Sequence, residues 1–331
     1  MKISKLISFL CAFLLLFAAV VPASAASFVE NGDYKYEIVG GGYLIYSYNG
    51  NETSLTLPST LYDMPVLGIS DDCFSGSVVK SVEIPDGYTT IGQRAFYNSS
   101  LTEVNIPSTI ESIGIMAFSN CSALSNVEIS ADCALTFIPY AAFQNCTALK
   151  SFEIPDSVAT ISANAFFGTG LTSVVMPDSV TAIGDYVFSN CADLAAVELS
   201  NSITALPRYA FSNCTSLSEI FLSDNITSIG EGCFYPNDTI TINCFDGSYV
   251  DEYCKENSIE TVTEEKLFGD VNNDGDVNIL DVTLIQKYRI GKYEIGSNKA
   301  RLLADVNCDN EITIRDATLI QMHIAHKLTD F

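Results

Sequence analysis

Apolar and polar residues alternate over short stretches through most of the chain, and one short pattern returns many times. In LTEVNIPSTIESIGIMAFSNC, for example, Leu101, Val104 and Ile106 are separated by polar residues, and the run ends at Pro107. Such alternation predicts a short β-strand, and proline ends it because proline has no N–H for the next ladder hydrogen bond.

A phenylalanine closes each unit and returns every 22 to 25 residues. The eight positions are Phe74, Phe96, Phe118, Phe143, Phe166, Phe188, Phe211 and Phe234. A unit of this length cannot bury its own apolar residues, so successive units must stack around one continuous core. The pattern predicts a mostly β solenoid of stacked short parallel strands. Ahead of it, YKYEIVGGGYLIYSY (34–48) predicts a hairpin that covers the first unit.

Units of the form L-x-x-V-x-I-P-x-x-V-x-x-I-G-x-x-A-F-x-x-C resemble the BspA-like leucine-rich repeats of bacterial surface and secreted proteins. The resemblance covers about residues 66–242, and the segment 242–259 is similar to the one that closes such arrays. It implies a protein- or glycan-binding, adhesive surface. We expect a signal peptide over 1–25, a capping hairpin over 26–65, the repeats with their C-terminal cap over 66–262 and a further module over 263–331.

The N-terminus has the layout of a secretory signal peptide. Lys2 and Lys5 precede an apolar run from Leu6 to Val21, and Ala23-Ser24-Ala25 follows as a cleavage site. A retained membrane anchor is the alternative, but the run is shorter than the roughly 20 residues that a spanning helix needs. We therefore expect an exported protein without membrane insertion after removal of the signal.

Charge and histidine content exclude several functions. The chain has 40 acidic and 16 basic residues, a formal net charge of −24, which repels nucleic acid. Its two histidines, His323 and His326, follow the repeats, so the repeats hold no Ser-His-Asp triad, no Cys-His pair and no histidine-ligated zinc. We expect a protein that is not an enzyme.

Four outward-facing glutamates share one column of the repeats, and two apolar residues replace glutamate in that column. The glutamates are Glu83, Glu128, Glu153 and Glu198, and the interruptions are Val175 and Phe221. The preferred interpretation of this column is that it keeps the exposed sheet soluble. The second interpretation is that it forms a binding face for a cationic or hydroxyl-rich partner. The alternative function is a polysaccharide-degrading subunit with a glycoside hydrolase site on the solenoid, which would need a sheltered carboxyl of raised pKa.

Cysteines of the repeats occupy columns for small buried residues. Four follow the repeat phenylalanine by three positions, and two directly precede it: Cys121, Cys146, Cys191 and Cys214, then Cys73 and Cys233. A ladder of free thiols is favoured. Disulfides between stacked neighbours are the alternative, since adjacent strands lie about 4.8 Å apart.

Two acidic 12-residue stretches follow the repeats, DVNNDGDVNILD (270–281) and DVNCDNEITIRD (305–316). Each places oxygen donors at positions 1, 3, 5, 7 and 12, the spacing of an EF-hand-type calcium loop. The predicted ligands are Asp270, Asn272, Asp274, the Asp276 carbonyl and Asp281, then Asp305, Asn307, Asp309, the Glu311 carbonyl and Asp316. Position 6 is Gly275 in the first loop and Asn310 in the second, where asparagine also tolerates positive φ. Two Ca²⁺ ions are expected.

Matched apolar segments, VTLIQKYRI (282–290) and ATLIQMHIA (317–325), follow the loops and predict helices. Loop plus trailing helix, duplicated and with Asp at position 12, resembles the type I dockerin of cellulosomes over about residues 268–328. The resemblance implies a small all-α calcium-binding module that binds a cohesin on a scaffolding protein. The cohesin-contact positions of the dockerin family correspond in this chain to Ile279, Leu280, Gln286, Lys287, Ile314, Arg315, Gln321 and Met322.

Together these features predict a secreted, non-catalytic cellulosome-type subunit, extracellular or held at the cell surface through a scaffolding protein. Many type I dockerins have Ser-Thr at loop positions 10 and 11, and this chain has Ile-Leu and Ile-Arg. The departure leaves the class of cohesin open. The ligand of the repeats, whether polysaccharide, mucin or another protein, is open as well.

Overall fold

The computed structural model describes residues 27–130 and 132–325. The predicted signal peptide and His326 lie outside the described residues. The described strands are β1 Phe28–Asn31, β2 Tyr34–Val39, β3 Gly42–Tyr48, β4 Ser54–Thr56, β5 Thr60–Leu61, β6 Met64–Ile69, β7 Ser81–Glu83, β8 Thr90–Ile91, β9 Glu103–Ile106, β10 Ser112–Ile113, β11 Asn126–Ile129, β12 Phe137–Ile138, β13 Thr160–Ile161, β14 Ser173–Val175, β15 Ala182–Ile183, β16 Ala196–Glu198, β17 Ala205–Leu206, β18 Glu219–Phe221, β19 Ser228–Ile229, β20 Thr241–Phe245 and β21 Glu260–Glu264. The described helices are α1 Tyr249–Asn257, α2 Ile279–Arg289, α3 Asn298–Ala304 and α4 Ile314–Ile324.

Two faces of the solenoid are built from parallel strands of successive repeats. On one face the longer strands pair in the order β11-β9-β7-β4, then β14-β16 and β18-β20-β21. On the other face the two-residue strands continue the ladder from β6 through β8 and β10, then β12-β13-β15 and β17-β19. Equivalent residues of neighbouring repeats pair directly, as Val82 does with Val104. The predicted stacked solenoid is confirmed.

The eight repeat phenylalanines form one column through the core. Successive rings stack with centroids 5.1 to 5.9 Å apart and planes within 1 to 9° of parallel. Each side chain is at most 5% exposed. Full burial of such a ring is worth about 1.5–3 kcal/mol, so this column is a principal source of stability.

Backbone packing between repeats explains the glycine that stands four positions before the repeat phenylalanine in four of the units, namely Gly92, Gly114, Gly184 and Gly230. A Cβ built on Gly114 would lie 2.3 Å from the Gln93 backbone nitrogen in the preceding repeat. The turn after the phenylalanine contains asparagine at positive φ, for example Asn120 at 61° and Asn145 at 59°. Asn145 Nδ2 donates to Asn120 Oδ1 at 2.8 Å, so these turns are joined from repeat to repeat.

Nine of the ten described cysteines are buried, and all ten are free thiols. In the main column each Sγ donates to the phenylalanine carbonyl of the preceding repeat, as Cys191 does to Phe166 at 3.1 Å and Cys214 to Phe188 at 3.1 Å. Burial raises the pKa of Cys191 to about 11, while its hydrogen bonds to Thr169 lower it less. The free-thiol interpretation is confirmed over the disulfide alternative.

Both ends of the array are covered. The predicted hairpin is present as β2 and β3, and the sequence did not reveal the further strand β1, which pairs antiparallel with β2. At the other end β21 pairs parallel with β20, and α1 packs beside both strands. Ser248 caps α1 by accepting the Asp251 N–H at 3.2 Å.

The C-terminal module has its own core between α2 and α4, which includes Val282, Ile285, Ala317 and Ile320. Both helices begin three residues earlier than predicted. The reason is a capping box at each start, where Asn278 and Thr313 accept N–H groups of the first turn. The last residues of each acidic loop therefore belong to the helix that follows. The sequence did not reveal α3.

Candidate calcium loops and docking surface

The first acidic loop is wound around the carboxylate of Asp270. Its Oδ1 accepts the Asp274 N–H at 3.0 Å, and its Oδ2 accepts the Gly275 N–H at 2.9 Å. Asn272 Oδ1 also accepts the Asp274 N–H, and Asp274 Oδ1 accepts the Asp276 N–H, both at 3.0 Å. Gly275 has φ 88°, the positive value that position 6 requires. These bonds hold the loop in a tight turn around Asp270.

The second loop repeats the same bonds. Asp305 accepts the N–H groups of Asp309 at 3.1 Å and Asn310 at 2.7 Å, and Asn307 accepts the Asp309 N–H at 2.9 Å. Asp309 accepts the Glu311 N–H at 3.0 Å. Asn310 takes φ 66°, so asparagine reproduces the turn that glycine makes in the first loop.

The position-12 aspartates are fully buried at the start of the trailing helices. Asp281 accepts N–H groups from Val271 at 2.8 Å, Asn278 at 2.9 Å and Asn272 at 3.3 Å. Asp316 Oδ2 accepts the Thr313 N–H at 2.8 Å. Its Oδ1 is buried without a hydrogen-bond partner among the described residues. A buried carboxylate oxygen left unpaired is costly, and a bound cation would satisfy it.

The oxygen donors of the two acidic loops decide whether the loops fit calcium. Within residues 27–130 and 132–325, no three His, Cys, Asp or Glu side chains are gathered as a formed metal site. The loop carboxylates accept backbone N–H groups, such as those of Gly275 and Asn310. The donors are nonetheless all oxygen, the preference of Ca²⁺, and Asp316 Oδ1 lacks a partner. Burial raises the pKa of Asp281 and of Asp305, and a cation would favour their charged forms. The loops fit a hard divalent cation.

All eight predicted cohesin-contact side chains are exposed. Four of them are apolar: Ile279 at 57%, Leu280 at 58%, Ile314 at 58% and Met322 at 36% exposure. They lie on α2 and α4. Ile279 and Ile314 are at equivalent places in the two halves, whereas Leu280 corresponds to Arg315 and Met322 to Lys287. The remaining two of the eight, Gln286 and Gln321, are also equivalent. These eight residues are called the docking surface below.

The outward glutamate column is present on the face of the longer strands. Glu83 pairs with Asn105 and Glu128 pairs with Asn105 from the other side, while Val175 pairs with Glu198. Glu83, Glu128 and Glu153 are exposed, but Glu198 is half-buried because α3 lies against it. The sequence did not reveal this contact.

Comparison with family models assigns both parts of the chain. A model described as the BspA type leucine rich repeat region matches residues 45–136 and 136–262, in six copies. The chain belongs to the BspA-type leucine-rich repeat family. A second model, the dockerin type I domain, matches residues 268–325 of this BspA-type protein.

Solved structures similar to this BspA-type protein are bacterial leucine-rich repeat proteins. A leucine-rich cell surface protein from Faecalibacterium prausnitzii is 28% identical with TM-score 0.47, covering 66% of this chain and 76% of that one. A leucine-rich repeat protein of T. pallidum is 24% identical with TM-score 0.44, covering 72% of this chain and all of that one. Comparison with curated proteins found no significant match.

Both matched families are non-catalytic modules. Type I dockerin domains bind calcium and imply docking of the cellulosome type, and leucine-rich repeats imply a protein-binding surface. Dockerins and BspA-type repeats are typical of extracellular or cell-surface proteins. No helix in the described part of this BspA-type protein has the length and apolarity to cross a membrane.

Proposed function

We propose that this protein is a secreted, non-catalytic subunit that its dockerin attaches to a cohesin, while its repeats present a surface for a protein or glycan ligand. Residues 26–65 cap the array, 66–262 form the repeats with their C-terminal cap, and 263–331 form the dockerin. The duplicated pair of acidic loop and capped helix, with equivalent exposed residues in both halves, is the observation that supports this function.

Calcium would be held in the first loop by Asp270, Asn272, Asp274, Asp281 and the Asp276 carbonyl. The corresponding group in the second loop is Asp305, Asn307, Asp309, Asp316 and the Glu311 carbonyl. The ion supplies positive charge that offsets the repulsion between these carboxylates. The chain itself does the positioning, because each position-12 aspartate also caps the helix that carries docking residues. Calcium in the loops thereby stabilises the start of α2 and α4.

The docking surface has the composition of a protein-binding surface. Ile279, Leu280, Ile314 and Met322 keep more than a third of their surface in water. Burying such side chains against a partner is favourable by about 25 cal/mol per Å² of apolar area. Their fixed positions at the helix starts and on α4 reduce the entropy lost on binding. A complementary apolar patch on a cohesin would therefore bind here.

The test is calorimetric titration of the full chain with a panel of type I cohesins, in calcium and in excess chelator. We expect binding to one or more cohesins in calcium and none in chelator. Ile279→Asn should weaken binding at least tenfold, about 1.4 kcal/mol. Ile290→Asn is the matched control, because Ile290 is also exposed, at the other end of α2 and outside the docking surface.

Equal affinity of the two variants would contradict the assigned surface, and equal affinity in calcium and chelator would contradict its dependence on the loops. The repeat ligand is tested separately by binding the full chain to arrays of plant polysaccharides, mucins and proteins. Binding that survives Ile279→Asn would assign the ligand to the repeats. Failure to bind any ligand on the arrays would leave the repeats without the proposed role for those classes.

A further inference from the structure

One residue of α3, Asn298, is bonded almost entirely to the repeats. Its side chain is 9% exposed, and Nδ2 donates to the carbonyls of Met176 at 3.1 Å and Leu199 at 2.7 Å. Its backbone N–H donates to the Glu198 carboxylate, and its carbonyl accepts Asn201 Nδ2 at 2.7 Å. Three polar groups of one dockerin residue thus make four hydrogen bonds to another module.

The two carbonyls that Asn298 bridges belong to adjacent repeats. Met176 directly follows β14, and Leu199 directly follows β16, which pairs with β14. Both carbonyls lie at the point where the outward strands end and the chain turns away. One amide group therefore bonds to two repeats at once, and removing it would leave two carbonyls unpaired in a mostly buried place.

Charges around Asn298 are complementary. On the dockerin side Arg301 pairs with Asp178 at 3.2 Å, and Lys299 pairs with Glu264 of the terminal strand β21. Lys299 also lies 5.5 Å from the centroid of the Phe221 ring. The basic start of α3 thus lies on an acidic surface, an arrangement that favours one orientation of the two modules.

The apolar interruptions of the glutamate column lie on either side of this contact. Val175 and Phe221 flank Glu198 one repeat away in each direction. Val175 lines a cleft of about 480 Å³ together with Ile295 and Gly296 of the dockerin, and Phe221 lines a second cleft of about 320 Å³ beside Lys299. Had these two positions been glutamates, three carboxylates would lie near the start of α3.

We propose that the patch of Glu198 and Phe221 is the seat for the dockerin of the same chain, so that repeats and dockerin form one rigid unit. Val175 lies at the open edge of this seat and stays 58% exposed. This seat, and not an external ligand, accounts for Phe221 in place of a glutamate in the column. The docking surface stays exposed when α3 is seated. Exposed column positions such as Glu83 and Glu128 remain free for a repeat ligand. The seat requires no cohesin and is independent of the docking function.

The test is hydrogen–deuterium exchange of the intact chain in calcium. Asn298→Ala should accelerate exchange of residues 297–301 at least tenfold and leave the helix interiors of α2 and α4 protected. Lys292→Ala is the matched control, because Lys292 is exposed in the same connection between α2 and α3, and it should change nothing. Exchange of residues 297–301 within twofold of the unchanged protein in Asn298→Ala would overturn the proposal.

A charge exchange provides a second measurement if Asn298→Ala also deprotects α2 and α4. Asp178→Arg and Arg301→Asp should each accelerate exchange of residues 297–301, because each places like charges together. The double variant should restore protection to within about threefold of the unchanged protein. Both side chains are partly exposed, so the fold tolerates the change. A double variant that is no more protected than the single ones would overturn the seat.

Discussion

Replacing Phe143 by alanine should destabilise the repeats more than any change on their outer surface. The ring is fully buried and stacks between Phe118 at 5.3 Å and Phe166 at 5.6 Å, and Phe152 tilts against it at 4.9 Å. Phe143→Ala removes all three contacts and leaves a cavity in a core that continues on both sides. Phe→Ala changes in such positions cost about 3–5 kcal/mol, and three aromatic neighbours favour the upper part of that range.

The assay is urea unfolding followed by far-UV circular dichroism, since the chain has no tryptophan to report by fluorescence. With a slope near 3 kcal/mol per molar, the midpoint should fall by about 1 to 1.7 M. Phe234→Ala should cost less, because Phe234 is 5% exposed and stacks on Phe211 alone at 5.9 Å. Glu153→Ala, at an exposed position of the acidic column, should change the midpoint little.

Equal losses in Phe143→Ala and Glu153→Ala would refute the assignment of inner and outer positions. A loss in Phe234→Ala as large as that in Phe143→Ala would refute the ring stack as the source of the difference. In that case the cost would come from the volume removed and would not depend on the neighbours.

Four further outcomes are expected. Chelation should lower the melting temperature of the dockerin and leave that of the repeats unchanged, because calcium stabilises only the folded form that binds it. Calorimetry would show both transitions. A dockerin transition that is unaffected by chelator would exclude the loops as calcium ligands. The near-duplicate halves would let a cohesin bind in either of two orientations, but the equivalent residues Leu280 and Arg315 differ in size and charge. Alanine at one of them should therefore weaken cohesin binding tenfold, and alanine at the other should weaken it little. Small, equal losses of affinity would indicate two interchangeable orientations. Thiol reagents at pH 8 should label the exposed Cys308 at once and Cys191 only after unfolding. The pKa of Cys191 is raised by burial to about 11 from its ordinary value near 8.5. The neutral thiol therefore contributes stability to the repeats that is complete below about pH 8.5 and is lost as the pH rises towards 11. Repeats whose thermal stability stays constant over that pH interval would contradict the burial of Cys191.

The repeats were predictable from sequence because the same spacing of apolar residues and phenylalanine recurs from unit to unit. The phenylalanine spacing fixes the length of a turn of the solenoid, and Pro107 ends its strand where predicted, since β9 stops at Ile106. Periodicity also identified the outward column and the buried cysteine column. A local signal repeated eight times leaves few alternatives.

Features that depend on single contacts were not predictable. The start of α3 has a local signal, because Ser297 caps it and accepts the Ala300 N–H at 3.1 Å. Nothing near Asn298 in the sequence, however, indicates that it lies against residues about 100 positions earlier. The predicted starts of α2 and α4 are three residues late because Asn278 and Thr313, which lie within the loop spacing, also act as helix caps.

Every functional step proposed for the dockerin depends on calcium in both loops, so the most direct measurement is calcium binding by the intact chain. Calorimetric titration should give two ions per chain. Asp270→Ala and Asp305→Ala should each remove one ion, because each aspartate supplies position 1 of a different loop. A chain that binds no calcium, or that still binds two ions in either variant, would contradict the account.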